Sequence, residues 1–332
     1  MVFLLLKRKV LKEEGLAWHM IDVFYYDNGV KKGDVKELSS LKEFPLWVDV
    51  TAITKKEAEL LGKEFDLHPL TQEDLASAST RIKVEAFANY LFCVFYAIEK
   101  SKTIKLIDMD FVIGNTFIIT NHVKELHSFK ELKMDEEKLG QLFLKGSEFV
   151  FHSLLNEEVE YYLPILERLD DELEQVEEEL TKKPKQVLLR KVLDLKHELS
   201  QIRKIAFTHR EKVSFLVRNE YKFISKEGVL YFRDVYDHAI RVSDKVDNSR
   251  EMVSNAFDLY MSSVSNNTNE VMKVLSIFAT IALPLTVISS IYGTNFTVLP
   301  GSGNPLGFWL MIGFMFFFCV GFVIYFKKRG WY

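Results

Sequence analysis

The chain has two cysteines among its 332 residues, Cys93 and Cys319, so a disulfide framework is excluded. No CxxC pair and no zinc-type Cys/His spacing occurs, and the eight histidines are scattered with no HExxH pattern. A basic face is missing too: the net charge of −4 gives no pull toward nucleic acid. Ser, His and Asp are all present, but nothing gathers them into a nucleophilic arrangement, and no enzyme is expected. The N-terminal MVFLLLKRKV meets Lys7 too early for a signal-peptide core; it reads as a strand, with the N-terminus kept in the cytosol. The most telling absence is of charge. From Val274 to Phe326 there is no Asp, Glu, Lys, Arg or His, while the rest of the chain is densely charged. That segregation marks a membrane protein with a large soluble part.

What is present falls into ordered blocks. Residues 1–150 mix strand-like segments (FPLWVDV, NYLFCVFYAIE, MDFVIGNTFIITNHV) with helical ones (TKKEAELLGKEF, HPLTQEDL), as in an α/β domain. Thr54 followed three residues later by Glu57 fits a capping box. Residues 151–273 hold long helices. One is expected from Glu148 to a break at TKKPK, despite Pro164 inside it, and a second from there to RNEYKFISKEG. A third begins near Val229 and meets no convincing stop before Gly293; sixty helical residues would reach ~90 Å, more than one bilayer, so it should run into the membrane as one rod. The acidic stretch Glu157–Glu179 reads as a solvated helix face.

Two apolar runs, 274–292 and 306–326, each suit one crossing of the hydrocarbon core. Lys273 precedes the first; Lys327, Lys328 and Arg329 follow the second, in the basic tail 327–332. The connecting loop 293–305 carries no positive charge, so both ends are expected in the cytoplasm and the loop outside. GSGNPLG follows a helix rather than a strand and is a turn, not a phosphate loop.

One hairpin encloses no lumen, so solute movement requires several copies. On the third helix Asp258, Ser262, Ser265, Asn269, Met272, Ser276, Ala279, Leu283, Thr286 and Ser290 recur at three- and four-residue steps. Such a stripe either lines a pore or lets helices pack closely, and both readings stay open. The second span, FWLMIGFMFFFCVGFVIYF, is bulky all round, as a lipid-facing shield should be. Read as a pore, the stripe offers one acid and otherwise neutral oxygens, which suit a hard divalent cation that keeps its water. Met272, Leu275 and Leu283, repeated about an axis, would form an apolar constriction that closes by dewetting.

SNNTNEVMKVLSIFATIALPLTVISSIYGTNF, the short loop after it and the Lys-rich YFKKRGWY ending resemble the CorA family of magnesium channels. The resemblance implies an α/β cytoplasmic domain, long helices and a two-span transmembrane hairpin, in a funnel-shaped homopentamer in the cell membrane. It assigns Gly293, Thr294 and Asn295 to a selectivity ring receiving hydrated Mg2+, and Asp258, Asn269, Met272 and Leu275 to the path inward; with the stripe, Ser265, Ser276, Ala279, Leu283, Thr286 and Ser290 complete the expected pore lining. Regulatory Mg2+ between subunits would fall on Asp74 and Asp234, with Glu73 as a further partner; without the resemblance these are solvated surface acids. Co2+ and Ni2+ are alternative ions. The family's Tyr-Gly-Met-Asn-Phe has Thr294 in place of Met, and the loop lacks acids. Those departures keep a zinc or other divalent-cation transporter in view, and the long amphipathic helices keep a hairpin-anchored sensor or scaffold.

Overall fold

Leu46–Thr51 reads LWVDVT, and its first five residues are all buried. A strand covered on both faces carries apolar residues on both, and this one lies mid-sheet. The structure, a computed structural model, describes residues 21–77, 81–101, 103–182, 184–295, 299–301 and 303–331. The strand expected over the first ten residues lies outside them. Among the described residues the strands are β1 (Ile21–Tyr26), β2 (Val30–Gly33), β3 (Leu46–Thr51), β4 (Lys83–Ala86), β5 (Leu91–Lys100), β6 (Ile104–Ile113) and β7 (Phe117–His122). They pair in the order β2-β1-β3-β7-β6-β5-β4. β3 and β7 run parallel, and the other neighbours are antiparallel. The stretch MDFVIGNTFIITNHV, strand-like throughout, thus makes two antiparallel strands turning at Gly114–Thr116.

Helices cover both faces. After α1 (Leu38–Leu41), helices α2 (Lys55–Glu64) and α3 (Pro69–Ala76) lie on one side, where Leu61, Phe65 and Leu75 join Val48, Val50, Val94, Val112 and Ile119 in the core. The capping box at α2 forms as expected: Glu57 N–H donates to Thr54 Oγ1 at 3.3 Å, and Thr54 N–H to Glu57 Oε2 at 2.7 Å. On the other side α4 (His127–Met134), α5 (Glu136–Lys145) and α6 (Ser147–Glu160) follow in sequence. An aromatic chain ties them to the sheet: Trp47 to Phe129 at 6.4 Å, Phe129 to Phe111 at 6.2 Å, Phe111 to Phe151 at 4.8 Å and Phe151 to Phe232 at 5.2 Å.

The helix expected to run unbroken from Glu148 instead divides at Tyr161 into α6 and α7 (Tyr162–Lys182). Proline explains the correction. Mid-helix it would remove a hydrogen bond and clash with the preceding turn, a cost of about 3 kcal/mol. The break moves Pro164 into the first turn of α7, where an N–H has no intrahelical acceptor. α8 (Gln186–Arg218) follows. α9 runs from Lys226 to Tyr292, 67 residues with Pro284 inside, and starts where Ser225 Oγ accepts the Gly228 N–H at 2.9 Å. α10 (Pro305–Lys328) opens on Asn304, whose Oδ1 accepts the Leu306 N–H at 3.0 Å, with Pro305 at its first position.

The chain divides into two compact units. One holds the sheet, its helices and Arg190–Asn255; the other holds Glu177–Leu189 and Ala256–Tyr332. α9 and α10 are each long and apolar enough to cross a membrane, and their apolar stretches are not buried in the chain.

Candidate ion pathway and regulatory carboxylates

In the second unit, burial along the hairpin picks out two facing stripes. On α9 the half-covered residues are Lys273, Ile277, Thr280, Ile281, Pro284, Leu285 and Ile288; on α10 they are Gly307, Met311, Met315, Phe318, Cys319 and Phe322, followed by buried Phe326. Steps of three and four residues put each set on one helix face. At 100° per residue Ser265, Met272, Leu275, Ala279, Leu283, Thr286 and Ser290 fall on the far side of α9, with Asp258, Asn269 and Ser276 at its flank. Asp258, Ser265, Asn269, Met272, Leu275, Ser276, Ala279, Leu283, Thr286 and Ser290 are every one exposed in the single chain, as is Ser262.

Two of their hydroxyls share an orientation. Ser276 Oγ donates to Met272 O at 2.8 Å and Thr286 Oγ1 to Ala282 O at 2.9 Å, each back onto its own helix. The hydrogen is spent internally, so these side chains offer outward only acceptor lone pairs. First-shell waters on a cation turn their hydrogens outward and match such acceptors; the waters around an anion do not.

Past Tyr292 the helix ends in a tight turn. Gly293 N–H donates to Ser289 O at 2.9 Å, and Thr294 Oγ1 donates to Ile291 O at 2.7 Å. Asn295 is exposed, and among the described residues its carboxamide has no hydrogen-bond partner. Tyr292 OH, donating to Pro300 O at 3.1 Å, ties the helix end to the returning loop. Gly293 also lines a cavity of about 570 Å3 with Ser289, Asn304 and Phe308.

The carboxylates assigned to regulation belong to the first unit. On α3, Thr71 and Leu75 face the core, with Thr71 Oγ1 2.7 Å from Tyr90 OH. Glu73 therefore projects into solvent, and Asp74 sits half-buried at the rim. Asp74 is ion-paired: Lys83 Nζ of β4 lies 2.5 Å from its Oδ2 and 3.0 Å from Glu85 Oε2. Partial burial disfavours the Lys83 ammonium, but the two carboxylates outweigh it and hold its pKa above the ordinary lysine value. Asp234 on α9 is 63% exposed and lies 3.7 Å from His238 Nε2. His238 is held from its other nitrogen by Glu160 at 2.8 Å and Asn156 at 2.9 Å. Within one chain, Glu73, Asp74 and Asp234 form no cluster; no three His, Cys, Asp or Glu side chains among the described residues do so as a metal would need.

A family model described as CorA-like Mg2+ transporter protein matches residues 43–328. This chain belongs to that family. It is 36% identical over 303 residues to the cobalt/magnesium transport protein CorA of Thermotoga maritima, covering 86% of this chain and 83% of the relative. It is 26% identical over 308 residues to the CorA of Methanocaldococcus jannaschii, covering 92% and 97%. The complete structure of the Methanocaldococcus jannaschii CorA magnesium transporter superposes with a TM-score of 0.83 at 25% identity, covering 94% of this chain and 99% of that one. The family resemblance expected from the YGTNF segment therefore holds, as do the α/β domain, the long helices and the two apolar helices. The chain is a membrane protein of this family.

Sequence reasoning missed the partners of the acids that the resemblance assigns to regulation. Lys83 lies nine residues beyond Asp74 in the sequence, in a strand, β4, that pairs with β5. Buried Asp110 escaped as well. Lys83, Val94, Asp110 and Asn121 stand in register across four strands, and burial pushes the Asp110 carboxyl well above its ordinary range.

Proposed function

We propose that this chain assembles as a homopentamer around a central pore and conducts Mg2+ passively, driven by gradient and membrane potential. Co2+ and Ni2+ are further candidate cargoes. Both termini face the cytoplasm, because Lys273 and the Lys327–Arg329 tail flank the spans on one side while the loop carries no positive charge. The observation that carries the reading is the α9 stripe: exposed in the single chain, most of it turned away from α10, with Ser276 and Thr286 presenting acceptor oxygens. In a pentamer each copy contributes one such stripe to the axis, and α10 stands outside as the lipid-facing layer.

At the outer mouth five Asn295 carboxamides receive the ion with its water still bound, and Gly293 lets the backbones approach. Neutral dipoles hold the ion weakly enough for it to leave inward past Ser290, Thr286, Ala279, Ser276, Asn269, Ser265 and Asp258. Rings of Leu283, Leu275 and Met272 form the apolar constriction. Thr294, its hydroxyl tied to Ile291 O, adds no free donor at the mouth.

Closure by intracellular Mg2+ fits the first unit's donor chemistry. Asp74 and Asp234 supply hard oxygens from two elements that form no cluster within one chain, so a site between copies would join them, with Glu73 beside it. Bare, such carboxylates repel; bridged, they hold neighbouring copies together.

The test is flux into liposomes loaded with a Mg2+-sensitive dye. The expected result is Mg2+ uptake by the parent chain and a loss of at least tenfold in Asn295→Ala. Uptake of Zn2+ without Mg2+ would assign the chain to a zinc transporter instead, and the absence of any cation flux would leave a sensor or scaffold.

A further inference from the structure

After Glu270 the sequence contains no acid, and its four cations there, Lys273, Lys327, Lys328 and Arg329, fall at the borders of the charge-free spans. The hairpin brings them to one end. Lys273 Nζ donates to Gly330 O at 3.3 Å, linking the residue before the first span to the tail after the second. An ammonium has three hydrogens, so two remain for another acceptor.

Closing the helix end does not require these cations. The carbonyls of Tyr325, Phe326 and Lys327 already accept the N–H groups of Arg329, Trp331 and Gly330, each at 3.1 Å, with Gly330 at φ 68° making the reversal. Among the described residues none of the four cations has an ion-pair partner. The Arg329 guanidinium lies over Tyr325 at 5.9 Å. Trp331 stacks on Phe326 at 5.6 Å and 24°, and the residue is 42% exposed. Unpaired cations, a half-exposed indole and an apolar span thus meet at one place, the arrangement that suits the phosphate zone of a bilayer.

We propose that this end of the hairpin, built from Lys273, Lys327, Lys328, Arg329 and Trp331, is a binding surface for the headgroups of anionic phospholipids. The ammonium and guanidinium groups take the lipid phosphate, Trp331 lies at headgroup level, and the acyl chains run along the span beyond Phe326. The attached apolar helix selects a bilayer lipid over a soluble phosphate, because only the lipid satisfies both parts of the surface. This surface is separate from the ion pathway and does not depend on which ion the protein carries.

Quenching by brominated lipids tests it on the full chain. The difference between Trp309→Phe and Trp309→Phe/Trp331→Phe isolates Trp331, and a matching pair isolates Trp309 at the other end of α10. In mixed bilayers, brominated phosphatidylglycerol should quench Trp331 with at least about threefold preference over brominated phosphatidylcholine, a scale set by a few surface charges. Trp309 should show no preference. Lys327→Gln/Lys328→Gln/Arg329→Gln in the Trp309→Phe background should bring Trp331 to parity, and millimolar inorganic phosphate should leave the preference in place. Parity in the parent, equal preference at both tryptophans, preference surviving the charge removal, or displacement by inorganic phosphate would each overturn the proposal. The parent comparison needs no charge variant, so a poorly inserting triple variant does not blunt it.

Discussion

His209 is 3% exposed, and its Nε2 accepts the Tyr96 backbone N–H at 3.0 Å. Only the neutral ring can accept there, and burial pushes its pKa down to about 3. In the unfolded chain the same ring titrates near 6.5. The unfolded state therefore binds a proton that the folded state refuses. The stabilising difference is complete above pH ~6.5 and shrinks as pH falls toward about 3, at about 1.4 kcal/mol per unit. Denaturation of the parent should lose about 2 kcal/mol between pH ~6.5 and ~5 from this ring alone. His209→Gln, which keeps an acceptor but cannot titrate, should flatten that slope in chemical-denaturation curves. An unchanged slope would remove the assignment.

At the scale of elements, the turn joining the two apolar helices is held by close backbone approach. A Cβ on Gly307, in the first turn of α10, would lie 2.2 Å from Gly301 O, and Gly301 itself has φ 81°. Gly307→Ala should cost about 1–3 kcal/mol of hairpin stability, while Gly321→Ala, which meets no atom within 4 Å, should be near neutral; thermal unfolding in detergent compares the two. Elements with strong local signals were legible in the sequence. The α2 capping box, the long α9 and the two apolar helices follow from Thr54 with Glu57, from a missing stop signal and from a charge-free run. The β1–β2 hairpin is not legible in the pattern, although Asn28 (φ 54°) and Gly29 (φ 148°) make its turn. Its strands have only six and four residues, and Lys31 and Lys32 blur the alternation. Pro164 signals a break in the sequence but not its place; ending α6 before Tyr161 is what puts the proline in the first turn of α7. The pairing of Lys83 with Asp74 depends on where β4 lies, which local pattern does not encode.

For the molecule as a whole, the proposed site between copies would make closure a property of the assembly. Asp74→Ala/Asp234→Ala should keep Mg2+ uptake but lose its inhibition by intracellular Mg2+. Lys83→Met should act oppositely. That ammonium competes for Asp74 Oδ2, and a partly exposed pair is worth about 1 kcal/mol, so closure should need about two- to fivefold less Mg2+. Protection from proteolysis against Mg2+ concentration reads both effects without flux, and unshifted protection curves in both variants would separate these acids from regulation.

The two cysteines have a practical consequence. Cys93 is fully enclosed in β5 with its thiol pushed well above the usual value by burial, and Cys319 sits within the α10 apolar run. Water-soluble alkylating reagents attack thiolates they can reach, so the native protein gives a quiet background. A single new thiol at Ser276 or Thr286, set against one at exposed Phe316 of α10, would then report directly which side of each helix is wet.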